Sequence, residues 1–165
     1  MYNRTLKAVA AGSVLALGLM SGAANAATAD GTARATILQQ VTVTNTSDLQ
    51  FGTVAIGTGG GSVAVATGGG RTCAATLVCS GATTAAGFSV AGATGMNVAI
   101  SVPGSVTLTE TGGASMAATL VSSATSLTLA GTAADAFSVG GTLNVGGTQA
   151  AGAYAGTFTV TVNYQ

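Results

Sequence analysis

The chain has 165 residues, with four basic and four acidic side chains, no His, no Trp and one Pro. That length suits one domain, and a chain without His and nearly without charge excludes histidine-based metal or acid–base chemistry and a basic nucleic-acid face. Hydrophobic residues make up 48%, but many are Ala, and 26 residues are Gly, so the core is thin and its layers approach closely, while Thr and Ser supply the polar surface. Such a surface suits a particle packed against copies of itself, and equally a secreted domain with a hydroxyl-rich coat.

In chain order, Arg4 and Lys7 lead into an apolar run over residues 8–20, and Ala24-Asn25-Ala26 gives the small-x-small pattern that signal peptidase reads. Residues 1–26 are therefore expected to be an export signal, with an apolar part too short for a comfortable membrane anchor. Its removal leaves Arg34 and Arg71 against Asp30, Asp48, Glu110 and Asp135. No later apolar run has spanning length, so the product is expected to pass through the periplasm to the cell surface or medium without being integral to a membrane. Residues 27–37 then alternate strictly. Ala29, Gly31, Ala33, Ala35 and Ile37 share one face, and Thr28, Asp30, Thr32, Arg34 and Thr36 share the other. This is the period of a strand.

From there the chain reads as nine or ten short strands between Gly, Ser and Thr turns, the spacing of an all-β sandwich or barrel. Leu49 and Phe51 alternate, and the apolar parity changes after Gly52 to Val54 and Ile56, which predicts a bulge or bend there. Val63 and Val65, Phe88 and Val90, Val98 to Val102, Val106 and Leu108, and Leu127 and Leu129 mark further strands. Phe137–Val139 and Leu143–Val145 read as two strands with a turn at Gly140-Gly141, and residues 114–126 carry no readable period. Cys73 and Cys79 are the only cysteines; outside the cytoplasm such a pair is expected to form a disulfide that pins a hairpin or strand edge. Thr-x-Thr pairs at Thr42, Thr107 and Thr159 read as solvated strand faces. The most regular stretch is GTFTVTVNYQ, residues 156–165, where Phe158, Val160, Val162 and Tyr164 share a face.

Groups that move protons or attack are scarce. Beyond the export signal there is neither His nor Lys, and Asp30, Asp48, Glu110 and Asp135 are scattered through Gly- and Thr-rich sequence. The glycine clusters do not open helices, so they are not phosphate loops. The expectation is a non-enzymatic protein with no metal, no cofactor and no nucleic-acid partner; the enzyme alternative would need two of those carboxylates in one cleft.

The stretches LQFGTV (49–54), FSVAG (88–92), SVTLT (105–109) and VGGTLNVGGTQAAGAYAGTFTVTVNY (139–164) resemble a bacterial domain-of-unknown-function family, number 4402, found in secreted chains of this size. More distantly, the chain resembles archaic chaperone–usher pilins and spore-coat-U-like subunits. The likeness rests on Leu49-x-Phe51-Gly52, the penultimate Tyr164, and Gly152 at the fourteenth place from the end. That resemblance implies an immunoglobulin-like sandwich that lacks a strand, carried by a periplasmic chaperone to an outer-membrane usher and completed by a sibling subunit. On this expectation the chain is a structural subunit of a surface filament. Residues 27–37 are its donor strand, with Ala29, Gly31, Ala33, Ala35 and Ile37 as the inserted face. Phe158, Val160, Val162 and Tyr164 are the accepting edge of a domain spanning 38–165. The competing expectation is a self-complete sandwich that serves as an adhesin or ligand-binding surface protein.

Overall fold

A computed structural model describes residues 26–131 and 135–165; apart from Ala26, the expected export signal lies outside them. The chain divides into two units, Met1–Ala35 and Thr36–Gln165. In the first, residues 26–35 form no strand and are exposed. Among its described residues the second holds twelve strands, and no helix occurs among the described residues of either unit.

The strands are β1 (Thr42–Ser47), β2 (Thr53–Ile56), β3 (Gly61–Val65), β4 (Arg71–Cys73), β5 (Leu77–Ser80), β6 (Ala86–Ala91), β7 (Asn97–Ser101), β8 (Ser105–Thr109), β9 (Ser115–Ser122), β10 (Ser126–Thr128), β11 (Ala136–Val145) and β12 (Thr161–Tyr164). All pairings are antiparallel. Seven strands form the main sheet along the path β1-β6-β11-β3-β4, with β9 on β11 and β8 on β9. A three-stranded sheet runs β10-β7-β12, and β2 pairs with β5 in a third.

Two apolar clusters fill the space between these sheets. The first joins Phe88 and Val90 of β6, Leu120 of β9, and Phe137 and Val139 of β11 to Val98 and Ile100 of β7 and Val162 of β12. Cross-strand partners Phe88 and Phe137 stack with centroids 5.2 Å apart, and Phe158 meets Phe88 edge-on at 6.2 Å, each worth about 0.5–1.5 kcal/mol beyond its buried area. The second cluster joins Val63 and Val65 of β3, Ala118 of β9, and Leu143 and Val145 of β11 to Leu77 of β5 and to Phe51. Side chains from facing sheets thus make a sandwich core in two parts.

The long strand β11 corrects the sequence expectation of two strands around Gly140-Gly141. Its ten residues run unbroken through both glycines. Along one edge β11 pairs first with β6, up to Val139, and then with β3, from Gly141; β9 covers the other edge. Gly140 stands at that exchange of neighbours, where a Cβ would run into the main chain of Val65, Ala66 and Thr67. The glycines therefore allow close approach instead of making a turn. A second correction is β9, an eight-residue strand in the run that carried no period. The regular stretch 156–165 contributes only Thr161–Tyr164 to a ladder, although Phe158 and Val160 still pack on the first core. At Gly52 the expected bend is present, with φ +76° and Phe51 buried just before it.

Cys73 on β4 and Cys79 on β5 are joined, Cα to Cα 6.3 Å. The bond ties an edge of the main sheet to the β2–β5 sheet. Replacing both cysteines by Ala is expected to lower stability by about 2–3 kcal/mol, the chain-entropy value for so small a ring, measured by urea denaturation of the oxidised and substituted chains.

Candidate site: an uncharged cleft beside the last strand

Strand β12 pairs with β7 alone, in the register Thr161↔Ser101, Val162↔Ile100, Asn163↔Ala99 and Tyr164↔Val98. Its other edge has no strand partner among the described residues. Val162 is buried, and Phe158, Val160 and Tyr164 are half-buried against the first core. The side chains expected to accept a foreign strand thus serve their own core, and what β12 offers at its edge is main chain. The Tyr164 hydroxyl accepts from the Ala93 N–H and donates to the Gln39 carbonyl, both at 2.7 Å. It anchors the chain where Val41 enters the core. Tyr164→Phe is expected to cost about 1–2 kcal/mol, two neutral hydrogen bonds at roughly 0.5–1.5 kcal/mol each, read from the denaturation midpoint.

On the expected donor face, Ala29, Gly31, Ala33 and Ala35 lie in the first unit, exposed and in no strand, and Ile37 is 94% exposed.

Alongside the second core runs a cleft of about 970 Å³. Residues 49–56, comprising β2 and its approach, make one wall, and residues 149–154 make the other; Leu108, Met116, Leu143 and Val145 line it between them. No charged side chain lines it. Each wall has main chain that pairs with no further strand among the described residues. Strand β2 is paired with β5 on one side only. The N–H groups of residues 150–154 donate to no other described residue, whereas Ala155 resumes pairing with Thr109. The 149–154 wall is held in place locally: the Tyr154 hydroxyl donates to the Ala150 carbonyl at 2.8 Å and accepts from the Gln149 side chain at 2.7 Å. Gly152 belongs to this wall, and a Cβ on it would meet the Glu110 side chain. Gly152 and Tyr164, which the sequence resemblance sets together, stand at different places, Gly152 on the cleft wall and Tyr164 on β12. The motif could have pointed to the cleft through Leu49, Phe51 and Gly152, but its other lining residues come from distant strands.

Three of the ionisable groups, Asp135, Glu110 and Arg71, hold loops and strand ends. Buried Asp135 accepts from the N–H groups of Ala130 at 2.9 Å and Gly131 at 2.8 Å. Glu110 accepts from Gly112 at 2.6 Å. Arg71 donates to the Ser80 and Gly81 carbonyls at 2.8 and 3.0 Å, clamping the end of β5. Among the described residues no helix is long and apolar enough to cross a membrane.

Fold and site together define an all-β, disulfide-bonded protein with a divided core and a long uncharged cleft. Residues 41–164 match the family described as "Domain of unknown function (DUF4402)", and the chain belongs to that family. No curated protein and no solved structure matches it.

Proposed function

We propose that this protein is an exported, non-enzymatic structural subunit of a bacterial surface filament or fimbria-like assembly, and that its copies join by β-strand addition. The observation that carries this reading is that the sheets leave ladder edges open among the described residues, β12 pairing with β7 alone and β2 with β5 alone. An exposed ladder edge is a template for another chain, and residues 27–37 carry a strand's alternation without belonging to any strand. A sibling's segment would complete an immunoglobulin-like sandwich, and residues 1–26 would direct export to a periplasmic chaperone and an outer-membrane usher. The inserted face is mostly Ala, which removes little apolar area at roughly 25 cal/mol per Å². Affinity then rests on ladder hydrogen bonds, each about 0.5–1.5 kcal/mol net.

Sedimentation and negative-stain microscopy of purified residues 27–165 provide the test. The expected result is linear polymers of increasing length. A stable monomer at high concentration removes the reading.

A further inference from the structure

We infer that the cleft between residues 49–56 and 149–154 is the binding site for residues 29–37 of a second copy of this chain. The inference rests on assembly by strand addition and places the accepting site at the second core instead of the β12 edge.

Three features of the cleft select an extended peptide. Its walls carry unpaired main chain on both sides, the outer edge of β2 and the free N–H groups of residues 150–154. A strand lying between them pairs with each wall and turns alternate side chains toward Leu108, Met116 and Leu143. The lining is uncharged, so the buried face of the guest must be uncharged too. Length is the third feature, because β2 (Thr53–Ile56) and residues 150–154 offer short edges that a nine-residue extended segment, at about 3.3 Å per residue, is long enough to cover.

Residues 29–37 meet these terms. Turned inward, Ala29, Gly31, Ala33, Ala35 and Ile37 bring no charge into the cleft, and Asp30 and Arg34 stay in solvent. The reversed face would bury both charges without partners, at a cost that fixes which side goes down. The one large side chain of the segment, Ile37, is 94% exposed in its own copy, so it has apolar surface to lose. In its own copy residues 29–37 are exposed and belong to no strand, which leaves them free to pair, and the guest is a sibling's segment.

Cysteine cross-linking tests this, because a disulfide forms only between residues whose Cα atoms come within about 7 Å. Side chains on the outward face are chosen so that the buried face stays intact. Copies of residues 27–165 carrying Thr32→Cys or Thr36→Cys are mixed with copies carrying Ala55→Cys or Ala151→Cys on the walls, or Asn163→Cys on β12. After oxidation, the expected result is covalent heterodimer with the wall cysteines and none with Asn163→Cys. Cross-linking to Asn163→Cys alone overturns the cleft as acceptor while strand addition stands. Monomers without heterodimer in any mixture overturn both, as does a monomer whose cleft holds another molecule, seen as added mass in native mass spectrometry.

Discussion

Deleting residues 27–35 is expected to yield a chain that stays monomeric at concentrations where the intact chain polymerises, with a denaturation midpoint equal to that of the intact chain diluted until it too is monomeric. The two halves of this result have separate causes. Stability is retained because every ladder lies between Thr42 and Tyr164, and the deleted residues are exposed and belong to no strand. Assembly is expected to be lost because, in the proposed strand addition, the segment supplies the main-chain hydrogen bonds between copies. Losing even four of them costs about 4 kcal/mol, roughly a thousandfold in Kd. Sedimentation velocity reads the first effect and urea denaturation the second. Adding a synthetic peptide of residues 27–38 to the shortened chain should then give a one-to-one complex that does not grow, since the acceptor is filled and no donor remains. Polymers formed by the shortened chain would show that its copies associate through another surface.

How much of this was written in the sequence varies with the size of the buried side chains. Strands β6, β7 and β8 are visible as Phe88 and Val90, Val98 and Ile100, and Val106 and Leu108, where a large residue falls on every second position. Strand β9 obeys the same rule, with Met116, Ala118 and Leu120 inward. Ala118 is fully buried under Leu143, its partner on β11, yet an alanine carries almost no periodic signal. The disulfide followed from the expectation of export together with the presence of just two, closely spaced cysteines. The cleft was hidden for a different reason: its walls and floor come from residues 49–56, 108, 116, 143 and 149–154, and no local pattern states which distant strands will stand around one space. The regular stretch near Tyr164 is legible because Phe158, Val160, Val162 and Tyr164 pack on the chain's own first core; which edge stays open is not written in that alternation.

Gly140 is where a familiar turn signal hides a packing constraint, and Gly140→Ala is expected to be among the most damaging single-methyl changes in the protein. The added Cβ would run into the Val65 carbonyl oxygen and lie 2.8 Å from the Thr67 nitrogen and 2.9 Å from the Ala66 carbonyl carbon. These are main-chain atoms, which cannot turn aside as a side chain would. Relief requires β3 to move off β11, and that disturbs Val63 and Val65, both nearly free of solvent exposure. Overpacking typically costs about 1–3 kcal/mol, and a backbone collision in the central strand belongs at the upper end or beyond. A loss of about 3 kcal/mol is a large part of the 5–15 kcal/mol that holds an ordinary domain together. Gly104→Ala supplies the control, since nothing lies within 4 Å of its Cβ position and loop substitutions of this kind change stability by about 0.5 kcal/mol or less. Urea denaturation of the two variants side by side decides the matter. If both unfold at the same midpoint, Gly140 serves the chain as a flexible link, and the close passage of β3 across β11 has no part in holding the sheet together.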